Sequence, residues 1–241
     1  TGARRATSSW RRKRSSTSYS TIREAAVKRY LTRGAPLAAL LFLIIRGAAA
    51  SDDPQEILES VRKKYDGIRD AELRFTQHTR FPGSTLEQRT KGTLFLKKEH
   101  KYRIETDEQT VVTDGETVWS YSVPNRQVLI DRYKPSDRSF SPERILGGAT
   151  DDYAATVRGR EKSGNTECIV LNLIPRGEGS LLKSLRLWVD PSEWLVRMAE
   201  LTDVNGKVTT YTVSDIKLNP GLSDSRFVMQ IPEGAEVVDM R

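Results

Sequence analysis

Short stretches of alternating apolar and polar residues dominate the chain beyond residue 70. In Leu73–Thr76 and Tyr102–Glu105 every second residue is apolar, the pattern of a β-strand with one buried face. Asp114-Gly115 and Asn205-Gly206 have the composition of tight hairpin turns. The regular spacing predicts about eleven strands in an antiparallel meander. The later predicted strands are Tyr153–Arg158, Cys168–Ile174, Leu185–Val189, Leu195–Leu201, Val208–Val213 and Phe227–Ile231.

Two segments have the spacing of amphipathic helices instead. The first begins after Asp53, which suits a helix cap, with Pro54 in its first turn. Its predicted apolar face consists of Ile57, Leu58, Val61, Tyr65 and Ile68. The second is a short helix at Ser141–Leu146, ended by Gly147-Gly148, which we expect to lie on the sheet as a flap. The pattern leaves open whether these helices fill the concave face of the sheet or leave a cavity.

Residues 1–50 are predicted to be a leader. Arg33 and Arg46 flank the apolar run 36–45, and Ala48-Ala49-Ala50 supplies the small residues of a signal-peptide cleavage site near Ala50/Ser51. The run is shorter than the roughly 20 residues of a membrane span. The alternative is a short buried helix. Residues 51–241 are expected to form a single exported domain.

Charge separates the same two parts. Residues 1–50 hold 11 of the 39 Lys and Arg residues and one acid, Glu24, so residues 51–241 have a net charge of −3. This balance gives no reason to expect nucleic acid as a partner. Residues 1–33 are polar and basic, and we expect them to be disordered. Their composition is also typical of a transit peptide. A start at Val27 would instead place a compact basic region directly before the apolar run.

No catalytic or metal-binding pattern is found. His78 and His100 are the only histidines, Cys168 is the only cysteine, and neither H-E-x-x-H nor G-x-S-x-G occurs. We therefore expect a non-enzymatic protein with no metal and no cofactor. Cys168 is interpreted as a small buried hydrophobe. No cysteine near residues 48–52 could carry a lipid anchor, so the exported product should be soluble.

Aromatic residues give the strongest functional signal. Trp119 and Tyr121 share one strand face directly after the Asp-Gly turn. They belong either to a filled core or to the wall of an apolar pocket, which would suit acyl chains better than polar ligands.

A set of short motifs occurs in a fixed order along the chain. In the first half these are Leu73-Arg-Phe-Thr-Gln77, Gly92-Thr-Leu-Phe-Leu-Lys-Lys98, Tyr102-Arg-Ile104 and Thr113-Asp-Gly-Glu-Thr-Val-Trp-Ser-Tyr121. In the second half they are Leu187-Trp-Val-Asp-Pro191, Asn205-Gly206, and Phe227 followed by Ile231-Pro-Glu-Gly234. With this ordered set, the chain resembles the family of periplasmic outer-membrane lipoprotein carriers (LolA) over about residues 54–238.

The resemblance implies a fold class that is mainly β with α: an unclosed antiparallel β half-barrel, with helices lining or lidding an apolar concave face. It implies a carrier that receives acylated lipoproteins from an inner-membrane ABC transporter complex and takes them to an outer-membrane acceptor. We expect a periplasmic monomer. The alternatives are a carrier or sensor of another envelope amphiphile, such as a glycolipid or fatty acid, and an interaction module with a filled core.

Alternation and resemblance together select candidate site residues. The predicted lipid-binding cavity consists of Leu73, Phe75, Leu94, Leu96, Tyr102, Ile104, Trp119, Tyr121, Val128 and Ile130. Ile145 and Leu146 are the predicted lid residues. In this family a basic residue, commonly followed by Pro, latches the lid. Lys98 takes that position here, with Glu99 in place of Pro, and we expect it to bind carbonyls at the end of the Ser141–Leu146 helix.

Overall fold

The computed structural model describes residues 53–134, 152–177 and 179–241. These residues form one α-helix, a twelve-stranded β-sheet and a short 3-10 helix. The predicted leader at residues 1–50 and the predicted helix at Ser141–Leu146, with Ile145 and Leu146, lie outside the described residues.

Helix α1 spans Pro54–Asp66 and begins where the sequence predicts. The Gln55 N–H donates to Asp53 Oδ1 at 2.8 Å. The Asp53 side chain therefore caps the first turn. The helix ends at Gly67. The side chains that it buries against the sheet are Ile57, Leu58 and Val61. This apolar stripe fixes which side of α1 contacts the sheet.

The twelve strands follow in chain order. They are β1 (Asp70–Arg80), β2 (Glu87–Lys97), β3 (Lys101–Thr106), β4 (Gln109–Asp114), β5 (Thr117–Ser122), β6 (Gln127–Arg132), β7 (Tyr153–Ser163), β8 (Thr166–Pro175), β9 (Leu182–Asp190), β10 (Leu195–Asp203), β11 (Val208–Leu218) and β12 (Glu236–Asp239). Their spatial order is β12-β6-β5-β4-β3-β2-β1-β11-β10-β9-β8-β7.

The sheet is open, because β12 and β7 stand at opposite ends of this order. All neighbouring strands are antiparallel except β12, which runs parallel to β6. Both predicted hairpin turns are present, and Gly115 and Gly206 adopt positive φ angles of 98° and 84°. Glycine is favoured at such angles because it has no Cβ. The prediction of a mainly β, unclosed sheet is confirmed.

The strand register defines two faces. Directly paired residues point to the same face. Leu73 pairs with Leu94, and Leu94 pairs with Ile104. These three residues belong to the apolar cluster that packs under α1. We call this side the inner face and the opposite side the outer face. Cys168 lies in a smaller buried cluster with Val170 and Trp188, as a small hydrophobe should.

Residues 219–235 cross the outer face, and we call them the C-terminal crossover. The Arg226 guanidinium carbon lies 4.3 Å from the centre of the Phe95 ring, and Phe95 is an outer-face residue. The crossover contains the 3-10 helix Asp224–Phe227, which lies against β3 and β4.

The predicted strand at Phe227–Ile231 is therefore wrong. Phe227 and Met229 are buried, but they belong to a segment that packs across the strands instead of pairing with one. An apolar alternation needs only one buried side, and a covering segment meets this requirement as well as a strand does. The last strand is Glu236–Asp239 instead.

Candidate functional site

A cavity of about 530 Å³ lies on the inner face, where the end of α1 meets β1, β2, β10 and β11. Its lining consists of Tyr65, Asp66, Ile68, Arg69, Asp70, Ala71, Leu73, Leu96, Lys97, Lys98, Glu99, His100, Leu195, Val196, Val213, Ile216 and Leu218. The volume is in the range of small-molecule sites, roughly 300–1,000 Å³. Aliphatic side chains form the walls and charged side chains ring the mouth, so the site suits an amphiphile.

Two predicted residues, Leu73 and Leu96, line this cavity. Four others share the inner face without lining the cavity: Leu94 belongs to the buried apolar cluster, and Phe75, Tyr102 and Ile104 pack against it. The Phe75 ring occupies the space beside Gly92, where an added Cβ would lie 2.6 Å from Phe75 Cζ. The same Cβ would lie 2.5 Å from the Glu105 carbonyl oxygen, so the ring and the neighbouring backbone together require glycine at position 92.

The remaining four predicted wall residues lie on the outer face. Ile104 pairs with Val111, which pairs with Ser120, so the inner-face positions of β5 are occupied by Val118 and Ser120. The outer-face residues are Trp119, Tyr121, Val128 and Ile130. The register therefore places these four predicted wall residues away from the inner-face cavity. Alternation separates the two sets of residues but does not say which set faces the cavity.

Several wall residues were missed because β11 is longer than predicted. The sequence predicts a strand that ends at Val213, whereas β11 continues to Leu218. The register between β1 and β11 shifts between Glu72 and Arg74, and Asp215 has a positive φ of 49°. A bulge of this kind breaks the alternation. Ile216 and Leu218 therefore look out of phase with Val213, although all three line the cavity.

Lys98 stands at the mouth of the cavity and contacts a helix end. Its Nζ donates to the backbone carbonyl oxygen of Asp66, the last residue of α1, at 3.0 Å. Carbonyls at a helix C-terminus lack partners within the helix and attract cations. The predicted contact with Ser141–Leu146 lies outside the described residues, so the latch role of Lys98 stays a prediction.

Burial shifts the pKa of two tyrosines on this face. Desolvation raises the pKa of Tyr65 to about 12, and its hydroxyl oxygen accepts a long hydrogen bond of 3.4 Å from the Val196 N–H. Desolvation also raises the pKa of Tyr211, whose ring centre is 6.2 Å from that of Phe75. Both groups stay neutral at physiological pH, which keeps the inner face free of buried charge.

A buried ion pair supports the β9–β10 turn, and its Asp190 shares the outer face with Trp188. Arg197 donates to Asp190 Oδ2 from Nη2 at 2.7 Å and from Nε at 3.1 Å. Ser192 donates to Asp190 Oδ1 from its hydroxyl at 2.6 Å and from its N–H at 2.9 Å. Burial disfavours the charge on Asp190, but these hydrogen bonds outweigh it and lower the pKa of the carboxyl. The pair is structural, since both Asp190 oxygens are held by residues of the turn and its following strand.

The described residues offer little for catalysis. No group of three or more His, Cys, Asp and Glu side chains among them could hold a metal ion. Burial raises the pKa of the Cys168 thiol, which disfavours the reactive thiolate. His78 Nε2 lies 2.9 Å from Glu87 Oε2 on the outer face, away from the cavity. No described helix is long and apolar enough to cross a membrane.

A second space of about 410 Å³ lies between β3 and the C-terminal crossover. Its lining is largely polar and includes Arg103, Glu105 and Arg226. Such walls do not suit acyl chains. The inner-face cavity is therefore the candidate site.

The open sheet, its covering helix and the cavity between them define a class of β-sheet proteins with an apolar binding face. A sequence model of the family "Outer membrane lipoprotein carrier protein LolA" matches residues 66–230. Because this match spans more than half of the chain, the protein belongs to the LolA family.

Individual relatives agree with this assignment. The outer-membrane lipoprotein carrier protein of Chromohalobacter salexigens is 27% identical over 169 residues, which cover 68% of this chain and 78% of the relative. That of Pseudomonas paraeruginosa is 29% identical over 172 residues, with 68% and 79% coverage. An uncharacterized conserved protein from Thermus thermophilus has a TM-score of 0.52 at 16% identity, over 77% of this chain and 98% of that one, which shows the shared fold alone. Family and relatives support a lipoprotein carrier-like role.

Proposed function

We propose that the protein binds the acyl chains of lipoproteins released from the inner membrane and delivers them to the outer membrane. The observation that carries this proposal is the apolar cavity of about 530 Å³ between α1 and the inner face. Membership of the LolA family supports the same role. The work is binding and release, with no bond made or broken.

The driving force is the removal of acyl chains from water. Each buried methylene contributes roughly 0.8 kcal/mol, so a few methylenes in the cavity outweigh the loss of one weak polar contact. The supplier would be an inner-membrane ABC transporter complex and the recipient an outer-membrane acceptor. The protein would act as a monomer in the periplasm after cleavage near Ala50/Ser51.

Release requires the cavity to become less favourable, so an open and a closed state are needed. Lys98 is suited to bias this equilibrium, because its ammonium group joins the turn after β2 to the end of α1 through the Asp66 carbonyl. Breaking that contact would favour the open state, strengthen retention of cargo and slow its transfer.

The test is capture of acylated lipoproteins from envelope extract by the purified protein, with the bound lipoproteins identified by mass spectrometry. Leu96→Glu places a charge in the cavity wall. An unpaired charge is strongly unfavourable there, so this variant should abolish capture. Trp119→Glu is the matched control, because Trp119 lies on the outer face and should not contact cargo.

Circular dichroism must show that both variants are folded. Retained capture by folded Leu96→Glu would remove the cavity from lipoprotein binding. Loss of capture by folded Trp119→Glu alone would mean that the outer face, and not the cavity, holds the cargo.

A further inference from the structure

Two basic residues lie just beyond the apolar inner-face positions of β1 and β2. Arg69 stands two positions before the inner-face residue Ala71, and Lys98 stands two positions after Leu96. Ala71 and Leu96 are directly paired. The Lys98 N–H donates to the Arg69 carbonyl at 3.1 Å, which continues the ladder beyond the paired strands. Both residues line the cavity and lie on the same side of the sheet, at its mouth.

Like charges that face each other across neighbouring strands repel. The end of α1 provides a partner for one of the two cations, because Lys98 Nζ donates to the Asp66 carbonyl oxygen. The end of α1 provides no such partner for Arg69. The Arg69 guanidinium makes no hydrogen bond or ion pair with any described residue. Two cationic side chains therefore line the mouth, and only one of them has a partner in the described part of the chain.

The acids near the mouth are placed away from the two cations or are already paired, apart from Asp66. The buried Asp70 carboxylate is directed to the outer face, where it accepts a hydrogen bond from the Gly221 N–H at 2.9 Å. Glu99 Oε2 is 3.1 Å from Lys101 Nζ. Asp66 is exposed at the end of α1.

Lys97 is a third cation of the lining, and its Nζ lies 2.7 Å from Asp224 Oδ1 on the outer side. The lining as a whole is balanced, with three cations and three carboxylates. Asp70 is directed to the outer face beside Lys97, and Glu99 is paired with Lys101, so on the inner side the cations of Arg69 and Lys98 stand against the carboxylate of Asp66. The inner side of the mouth therefore carries more positive than negative charge.

We propose that this cavity also takes a single-chain amphiphile with an anionic head, a carboxylate or a phosphate, held by Arg69 and Lys98. The apolar chain lies against the walls formed by β1, β2 and β11, and the head stays at the solvent-accessible mouth. The anion relieves the repulsion between the two cations and supplies the partner that Arg69 lacks among the described residues. The proposal rests on the proposed function in one respect: the cavity must accept an acyl chain.

The experiment uses three probes with the same dodecyl-length chain: dodecanoate, dodecyl phosphate and the neutral dodecanol. Each is titrated calorimetrically into the purified protein, below its aggregation concentration, at low and high salt. Hydrogen bonds to charged groups predict that the two anions bind about tenfold tighter than dodecanol, or better. High salt should weaken binding of the anions and leave dodecanol unaffected.

Arg69→Gln should remove most of this preference. Lys98→Gln should remove part of it, although its contact with α1 makes Arg69→Gln the decisive variant. The matched control is Lys91→Gln, which removes an exposed lysine from the outer face of β2 and should keep the full preference.

The outcomes separate this proposal from the carrier function. Tighter binding of dodecanoate alone indicates a fatty-acid carboxylate, and tighter binding of dodecyl phosphate alone indicates a lipid phosphate. Either result supports an anion site at Arg69 and Lys98. Equal binding of all three probes, or a full preference for the anions in Arg69→Gln, overturns this anion site but leaves the cavity as an acyl site. If no probe binds, the cavity accepts no acyl chain, and the proposed function of this cavity fails as well.

Discussion

The inner and outer faces of the sheet both bury apolar side chains, but they are covered in different ways. A rigid helix of 13 residues covers the inner face and leaves a cavity of about 530 Å³ at its end. The outer face is crossed by the C-terminal crossover, which is irregular apart from one short 3-10 helix and whose Phe227 is completely buried. A helix presents one stripe of side chains, whereas an irregular segment can adapt to the surface residue by residue. The covering element, and not the apolar content of a face, thus decides where a ligand fits.

The largest expected effect is on the outer face. Phe227 is completely buried. Phe227→Ala should lower the free energy of unfolding by about 3–5 kcal/mol, because it leaves a cavity in a filled cluster. Urea unfolding measures this.

The neighbouring Val228 supplies the control, because its side chain is half-exposed and adds little to the cluster. Val228→Ala should change the free energy of unfolding by only about 0.5 kcal/mol or less. Equal midpoints for the two variants would contradict a filled outer cluster.

The next effect concerns the buried ion pair at the β9–β10 turn. Arg197 and Ser192 both donate hydrogen bonds to the Asp190 carboxylate. Asp190→Asn should cost about 1.5–3 kcal/mol at pH 7, because these hydrogen bonds lose their charged acceptor. The folded-state pKa of Asp190 is lowered. Its contribution is therefore fully present above the unfolded pKa of about 3.9 and is lost as pH falls through the folded value.

The difference between wild type and Asp190→Asn should therefore shrink in acid. Denaturant unfolding at pH 7 and pH 3 measures it, and the exposed Asp107, changed to Asn, provides the control. A difference that stays constant between these pH values would mean that the charge of Asp190 does not stabilise the fold.

A smaller effect tests how tightly the inner face is packed away from the cavity. In Gly92→Ala the new Cβ would lie 2.5 Å from the Glu105 carbonyl oxygen and 2.6 Å from the Phe75 ring. Crowding of this kind should cost about 1–3 kcal/mol. Phe75→Leu in the same chain should restore part of the loss. Gly177 has open space around it, so Gly177→Ala is the control. A neutral Gly92→Ala would mean that the inner face is loose throughout.

The smallest effect on stability is expected at the cavity mouth. The hydrogen bond from Lys98 to the Asp66 carbonyl is exposed. Lys98→Leu should therefore cost only about 0.5–1 kcal/mol. If Lys98 is the latch, the variant should nevertheless retain lipoprotein longer and pass it on more slowly in a transfer assay. Lys98→Arg should keep transfer. An unchanged transfer rate in Lys98→Leu would remove the latch role.

The local secondary structure of this protein, including its helix start, its tight turns and most of its strands, is determined by the sequence alone. Asp53 and Pro54 start α1, the Asp114-Gly115 and Asn205-Gly206 turns join strands, and alternation marks most of the strands themselves. Each of these depends on neighbours within a few residues along the chain, so local physical chemistry is enough. The family motifs are likewise recognised from short stretches of neighbouring residues.

Only the tertiary structure decided which side of each strand faces the cavity. Trp119 and Ser120 alternate on β5, and either could have faced inward until the register with β4 was known. The bulge at Asp215 and the packing of Phe227 on the outer face depend on partners far away in sequence. Alternation is symmetric with respect to the two faces of a sheet, and this symmetry is broken only by the different elements that cover the two faces.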